Sequence, residues 1–515
     1  RRSSDLAHYH LGLRTLKIVL KVAGILRQAT QAQGPPLHLS AAAETGLCVR
    51  ALQLVVQPRL ALGDLPMFEG LLETMSFAQP ASSDVRAEGS ISENEAADNQ
   101  VVIAAKEQEE SRLQAVESED DFIRSTIAEE IADRELVVTP GFVSKVVQAY
   151  HCLCHHPTLM VVGPPLAGKT LALQILAGAL IRLQLLKAGL RDHRLKAAMA
   201  TSLDQVRTHT ICPGALAHDG LIGRYRLTAH GQSSEWEDGI LPSLLRTFLH
   251  DAFRGIGWKN WIILDGELGV AWTEGLKSML DDNRSLSLPS GEVLRVPPDV
   301  SIVVETSDTS QGTPAFVTRF ATVFLEGNYL TVKDVVRGWM AGMQVAKQDE
   351  VFRSSLEEMS VNALEEAVQA CPRPRNMISV IQHSLHLIVQ VLQECRLING
   401  KVLQEKMGVA QRALMFGICW GVGGHLIAKE KNHFSTKVCQ CFPPEVSGML
   451  LQGAQTSLYD VYLNPLDGIF HKWSDSLPEV SLTRHSVVHF FPTAASALGM
   501  YLCRSFSEIN LPIFF

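Results

Sequence analysis

Gly163-Pro164-Pro165-Leu166-Ala167-Gly168-Lys169-Thr170 reads G-x4-G-K-[ST], a complete phosphate-binding loop. Its flanks settle how it is used: the apolar run Thr158 to Val162 precedes it and the helix-forming run Leu171 to Leu186 follows. A strand then delivers the chain to a tight turn whose backbone N–H groups point inward around a phosphate. The next helix aims its positive N-terminal end at the same place. Gly163, Pro164, Pro165, Leu166, Ala167, Gly168, Lys169, Thr170 and Leu171 are therefore the candidate nucleotide contacts. Lys169 would neutralise the β/γ-phosphates and Thr170 would hold Mg2+, so ATP or ADP with Mg2+ is the implied ligand. The bland alternative is a tight strand-to-helix turn with a surface lysine. Leu166 stands where a glycine is more usual, and a side chain there narrows the allowed backbone, so weakened nucleotide affinity is an expectation.

Around the loop, from Phe122 to Gly327, helices alternate with short β-rich runs at Leu159–Val162, Thr208–Cys212, Trp261–Leu264, Val300–Glu305 and Thr322–Leu325. Five strands separated by helices predict an α/β fold, a parallel five-stranded sheet with flanking helices. A phosphate-loop enzyme also needs an acid at the end of a neighbouring strand, then a carboxylate that activates water. Trp261-Ile262-Ile263-Leu264-Asp265 supplies the strand and the acid, and Asp265 would support the Mg2+. The next residue is Gly266, so the usual hydrolytic carboxylate is missing. Glu267 comes one residue later, where strand alternation would turn it to the other face. General-base assistance is worth about 10²–10⁴-fold, so a nucleotide that binds and stays is expected.

The rest of the 515-residue chain reads as mainly helical, and the charge of the whole excludes several function classes. Of the net −8, residues 84–121 alone contribute −9, twelve acids against Arg86, Lys106 and Arg112. The rest is near neutral, so neither nucleic-acid binding nor a basic membrane face is indicated. That acidic, aromatic-poor stretch cannot bury enough surface to fold alone and reads as a disordered insertion over 79–121. Leu11 to Arg27 and Glu44 to Val56 have helical periodicity, which makes 1–78 a small helical subdomain. The run Ala413 to Ala428, sixteen residues with four glycines, is short for a bilayer span and reads as a buried core helix. His151, Cys152, Cys154, His155 and His156 read as the end of a helix rather than a metal site, and Cys439 with Cys441 likewise.

Trp236-Glu237-Asp238-Gly239-Ile240-Leu241, Leu264-Asp265-Gly266, Ala271-Trp272, Asp281-Asp282-Asn283 and Leu286 to Glu292 occur in an order and spacing that resembles the second AAA+ module of dynein heavy chains. Gly312 to Arg319 is similar to the same family's ASPATVSR segment, and Glu305 falls where most AAA+ proteins place a polar sensor. Tyr9 to Arg14 resembles the lid of the first module. Arg412 to Gly424 and Ser457 to Phe470 resemble the start of the third. The resemblance, closest to the axonemal group, implies a piece of a longer chain. Residues 1–78 would be the lid and linker of a preceding module, 122–328 an AAA+ large subdomain, 329–399 its helical lid and 400–515 the start of the next module.

What the resemblance implies for single residues is specific. Arg319 would be an arginine finger given in trans to the preceding, hydrolytic module, or else a surface arginine on a helix C-terminus. Glu305 would sense nucleotide or hydrogen-bond at a strand end. Arg14 would be a sensor arginine for the preceding module, whose phosphate loop would lie upstream, and Pro372-Arg373-Pro374-Arg375-Asn376 is a weak candidate for a second sensor. The implied whole is a microtubule motor of the cytoplasm and cytoskeleton, in a cilium or flagellum axoneme. Its partners would be neighbouring AAA+ modules, microtubules and dynein intermediate and light chains. Two alternatives stay open: a stand-alone AAA+ ATPase with Glu267 recruited as base, and a structural ring segment whose loop is empty.

Overall fold

The structure, a computed structural model, describes residues 11–32, 41–77, 120–134, 136–187, 206–227, 234–254, 259–327, 329–342, 350–372, 381, 384–388, 403–446, 457–464, 467–477 and 493–508. Residues 79–119 of the acidic segment, Tyr9, His10 and residues 373–376 lie outside them. The chain divides into two compact units, Arg1–Tyr329 and Leu330–Phe515.

Among its described residues the first unit has nine strands: β1 (Thr158–Val162), β2 (Val206–Ile211), β3 (Gly223–Leu227), β4 (Ser234–Asp238), β5 (Lys259–Asp265), β6 (Ser285–Ser287), β7 (Val293–Arg295), β8 (Val300–Thr306) and β9 (Ala321–Phe324). Five of them form a parallel sheet in the order β2-β5-β8-β1-β9. All five are the runs that the hydrophobic pattern picks out. Because both faces of a parallel sheet are covered, alternate residues enter two different cores. Met160, Val162, Ile262, Leu264, Ile302 and Val304 pack with Leu241, Leu245 and Phe248 of the helix Ile240–Phe253, and with Phe316 and Phe320. Leu159, Val161, Trp261, Ile263, Val303 and Val323 pack on the other side, against residues 120–133, the helix Pro140–His155 and the helix Lys169–Lys187.

The chain leaves β1 for the edge strand β2, and later strands fill in on both sides of β1. That reversal opens a crevice beyond the carboxyl end of β1, where such sheets bind ligands. Four short strands make two hairpins, β3 with β4 and β6 with β7.

At the start of this unit the helices Leu13–Ala32 and Ala41–Val56 share a small core of Val19, Val22, Ala51 and Val55. Two buried cations join them to the α/β body. Arg59, 2% exposed, donates to Thr15 Oγ1 at 3.2 Å and to the Phe320 carbonyl at 3.1 Å. Lys145, 3% exposed, donates to the carbonyls of Pro58 and Leu60, each at 3.3 Å. Burial pulls the Lys145 ammonium down to about 8. A buried cation is tolerated when backbone carbonyls replace its water, and both residues do this at one joint.

The second unit is helical, with Val332–Gly342, Glu350–Ala370, Leu403–Gly423, Ala428–Gln440 and Ala494–Glu508, and one antiparallel pair, Val461–Leu463 with Phe470–Lys472. One core joins described residues on both sides of position 400, from Val332 to Ile388 and from Val409 to Trp473. Leu403–Gly423 is buried on nearly every side, through Val409, Ala413, Phe416, Ile418, Cys419 and Val422. Its glycines have a packing reason: a Cβ on Gly417 would lie 2.3 Å from Ile388 Cγ1, and one on Gly421 would lie 2.2 Å from Ser384 Oγ. The Tyr459 hydroxyl lies 3.1 Å from both the Cys419 and the Gly423 carbonyls, a shared bond at the end of the helix, where the Leu426 N–H also donates to Gly423. Among the described residues no helix is long and apolar enough to cross a membrane.

Candidate functional site: the phosphate loop and a distant arginine pair

The loop is built where β1 ends. Gly163 N donates to the Thr306 carbonyl at 3.2 Å and Leu325 N donates to the Val162 carbonyl at 2.8 Å, so the chain on both sides clamps the junction of β1 and the loop. A Cβ on Gly163 would stand 2.3 Å from the Leu325 carbonyl oxygen. Gly163→Ala therefore forces a backbone shift. We expect it to lower unfolding free energy by about 1–3 kcal/mol in a denaturant titration, in the manner of an overpacked core; an unchanged midpoint would show that the clamp yields.

Further along the loop, Gly168 has φ +84 and Leu166 has φ +65. The leucine is a side-chain-bearing residue in the left-handed region, 56% exposed and with its side chain turned outward. Such a conformation costs about 1–2 kcal/mol that glycine would not pay. The helix Lys169–Lys187 starts at once, and its first-turn N–H groups have no intrahelical partners, which leaves them available to an anion.

Lys169 Nζ donates to the loop's own carbonyls, Gly163 O at 2.8 Å and Pro164 O at 3.1 Å. The Thr170 hydroxyl donates to the carboxylate of Glu305. In the sheet register Asp265 of β5 lies beside Glu305 of β8, and Glu305 lies beside Val161 of β1. The structure thus brings Gly163 to Leu171, Asp265 and Glu305 together at one end of the sheet. Burial, and then the charge of Asp265, push the Glu305 carboxyl up, against the opposing hydrogen bond from Thr170 and the charge of Lys169. Burial pulls the Lys169 ammonium down, opposed by Glu305, Asp265 and Glu267. A hydroxyl and a carboxylate, hard oxygen donors, suit Mg2+, and Thr170 with Asp265 would hold it beside the phosphates, where it would supply countercharge.

Glu267 corrects the alternation argument. Strand β5 stops at Asp265, and Gly266 takes φ +144 with its N–H on the Glu305 carbonyl at 3.0 Å. That conformation breaks the period of two, so strand alternation does not set the direction of Glu267. It accepts a hydrogen bond from the Ser307 hydroxyl beyond β8, and its charge is felt by Lys169. The glycine itself was the signal, because it permits a backbone that a strand does not have.

Arg319 and Arg14 are elsewhere. The Arg319 carbonyl accepts from Thr158 Oγ1 at 2.7 Å, at the start of β1, whereas the phosphate loop follows its end. Four residues of strand, roughly 13 Å, separate the two. The guanidinium of Arg319 makes a two-pronged pair with Asp281, Nε to Oδ1 at 2.6 Å and Nη2 to Oδ2 at 3.0 Å. Its Nη1 donates to the Ala315 carbonyl of the short helix Pro314–Val317, so a helix-end role is part of what it does. Arg14 Nη2 lies 3.8 Å from the same Asp281 Oδ1. Asp281 belongs to the Asp-Asp-Asn segment, which the sequence marks by resemblance but not as a site. Other marked segments meet as well: Arg246 bridges Asp238 (Nε–Oδ2 2.6 Å) and Glu292 (Nη1–Oε1 2.9 Å).

The helix Pro140–His155 ends at the His/Cys group. There His151 Nε2 lies 3.1 Å from Asp120 Oδ1, and burial pushes the Cys152 thiol up to about 12. Asp120 and Asp121 open the helical stretch 120–133, two residues inside the segment assigned to the insertion.

Comparison with known proteins sets this geometry in context. A family profile described as "Hydrolytic ATP binding site of dynein motor region" matches residues 1–108, ahead of the loop at 163–170. A second, described as "Dynein heavy chain AAA lid domain", matches residues 352–475 and so, like the core of the second unit, crosses position 400. The chain is 29% identical over 340 residues to the dynein-1-beta heavy chain of the flagellar inner arm I1 complex of Chlamydomonas reinhardtii, covering 66% of this chain and 6% of that one. It is 27% identical over 431 residues to the human cytoplasmic dynein 2 heavy chain 1, covering 84% of this chain and 8% of the relative. Over 543 residues it is 23% identical to the mouse dynein axonemal heavy chain 3, covering 99% of this chain and 12% of the relative. The chain spans a small fraction of the length of these relatives.

Proposed function

The chain belongs to the dynein heavy chain family, and on that premise we propose that it is a regulatory stretch of an ATP-driven, minus-end-directed microtubule motor. Its own module binds ATP or ADP with Mg2+ and holds it with little turnover. Residues 1–78 serve as lid and linker of a preceding module, 79–121 as an insertion and 122–328 as the large subdomain. Residues from 329 form its helical lid, and we take that lid past 399, up to 475. The shared core from Val332 to Trp473 and the lid profile both support the longer lid. The remainder, to 515, leads into the next module.

The observation that carries the low-turnover reading is the pairing of a complete loop with Gly266 after Asp265. A carboxylate is lacking where water would be activated, and the φ of +144 at that position disfavours any residue that could carry one. In the complete motor the partners would be the neighbouring modules of the same heavy chain, microtubules, and intermediate and light chains. Among the relatives are flagellar inner-arm, axonemal and cytoplasmic dyneins, which supports a cytoskeletal setting, and we favour a ciliary or flagellar axoneme.

A second reading has its own support. Because the turn at Gly266 frees Glu267 from strand alternation and Ser307 holds its carboxylate just beyond β8, Glu267 could replace the missing base and make the module a slow ATPase. Phosphate release by the purified chain separates the two. Low turnover predicts bound nucleotide with release no faster than a Lys169→Ala control. Release that exceeds this control and vanishes in Glu267→Gln would establish Glu267 as the base and overturn the holding role.

A further inference from the structure

We propose that Asp281 is the positioning residue of the arginine finger, holding Arg319 by one edge so that its other edge is presented to a phosphate of the preceding module. The inference rests on the reading of Arg319 as a finger. A guanidinium carries five N–H groups in a rigid planar fork. In Arg319 three are engaged: Nε–H and one Nη2–H with the two oxygens of Asp281, and one Nη1–H with the Ala315 carbonyl. The two that remain are one on each terminal nitrogen, and the two terminal nitrogens together can pair two-pronged with phosphate oxygens. The side chain is 11% exposed, so its aim is set by Asp281 and Ala315 rather than by solvent.

The same carboxylate gathers the second arginine. Arg14 Nη2 reaches to 3.8 Å from Asp281 Oδ1, and Lys17 Nζ lies 2.8 Å from Asp282 Oδ2 one residue on. Lys21 acts on Asp282 as well. Arg14, Lys17, Lys21 and Arg319 thus outnumber the two carboxylates, and the patch keeps a positive surplus after its internal pairs are made. Asp281 also follows the helix Lys277–Leu280 directly, in extended backbone, so its place is fixed by an ordered element. A carboxylate shared between a sensor-type arginine of the lid and the finger couples their positions: moving one displaces the other.

The test is the steady-state ATPase of the full-length heavy chain with and without microtubules, for Asp281→Asn, Asp281→Glu, Arg319→Ala and the double variant Asp281→Asn/Arg319→Ala. Asn keeps the shape but offers one acceptor and an opposing NH2 donor. We expect Asp281→Asn to lower kcat about 100-fold with KM unchanged, as a misaimed group does, and Asp281→Glu to recover part of the loss. In the Arg319→Ala background the Asn change should then have no further effect. A normal kcat in Asp281→Asn, with Arg319→Ala inactive, would overturn the positioning role and leave the finger standing. A further loss in the double variant would show that Asp281 acts through stability instead, and would also overturn it. A normal kcat in Arg319→Ala would remove the finger and this proposal together. ATP-dependent thermal stabilisation through the loop at 163–170 serves as the folding control in every variant.

Discussion

Arg319→Ala in the full heavy chain should abolish microtubule-stimulated hydrolysis at the preceding module, by about 10³–10⁵-fold, while nucleotide still binds at Gly163–Thr170. The size follows from what a finger does. An arginine brought by a neighbour stabilises the charge that develops on the transferred phosphoryl group. The placement argues for a recipient outside this module. Arg319 lies at the amino end of β1 and the loop at its carboxyl end, so Arg319 cannot serve the loop that its own sheet carries. Arg319→Lys should rescue poorly, because an ammonium lacks the planar fork that Asp281 grips. The structural alternative, an arginine that only ties Asp281 to Ala315, makes a different prediction. It would lower thermal stability in proportion to any loss of rate and would leave kcat per folded molecule unchanged. Single-turnover hydrolysis, measured beside a melting curve, separates the two, and unchanged turnover in Arg319→Ala would remove this residue from the mechanism.

The fold was legible in the sequence because a parallel sheet covered on both faces writes its strands as uninterrupted apolar runs, as in Thr158–Val162 and Trp261–Leu264. The β3–β4 hairpin was not legible. Its strands, Gly-Arg-Tyr-Arg-Leu and Ser-Glu-Trp-Glu-Asp, have no apolar run, and they are held by cross-strand partners instead. Arg224 faces Glu237, Arg226 faces Glu235, and the rings of Tyr225 and Trp236 meet edge to face at 5.2 Å. Such pairs exist only once the register is formed. The change of region placed at 400 has a similar explanation. An apolar, glycine-containing helix such as Leu403–Gly423 signals burial, but its sequence does not say which core it enters. At the site, the loop and Asp265 follow from the motif and a strand end, and Glu305 from the family resemblance. Glu267 and Asp281 do not, since one depends on the backbone turn at Gly266 and the other on the meeting of three segments far apart in sequence.

Addition of MgATP should raise the unfolding free energy of the chain by about 2.7 kcal/mol at 100 times its Kd, and Lys169→Ala should erase that gain. In the structure Lys169 is occupied with the carbonyls of Gly163 and Pro164, and Thr170 with Glu305. A nucleotide must therefore exchange these bonds for its own, and what drives the exchange is charge. One ammonium stands among Asp265, Glu267 and Glu305. Burial already penalises the ionised form of Glu305, so a triphosphate entering without a cation would meet a surplus of negative charge. The stabilisation should consequently disappear with EDTA even when ATP is kept in excess. ADP with Mg2+ should give a gain of the same kind, since Lys169 and the loop amides reach the β-phosphate of either nucleotide. Differential scanning calorimetry with ATP, ADP and EDTA decides the matter. If neither nucleotide shifts the transition at millimolar concentration, the loop is a structural turn and the holding role falls. If Lys169→Ala shifts as the parent chain does, the nucleotide binds at some site other than Gly163–Thr170.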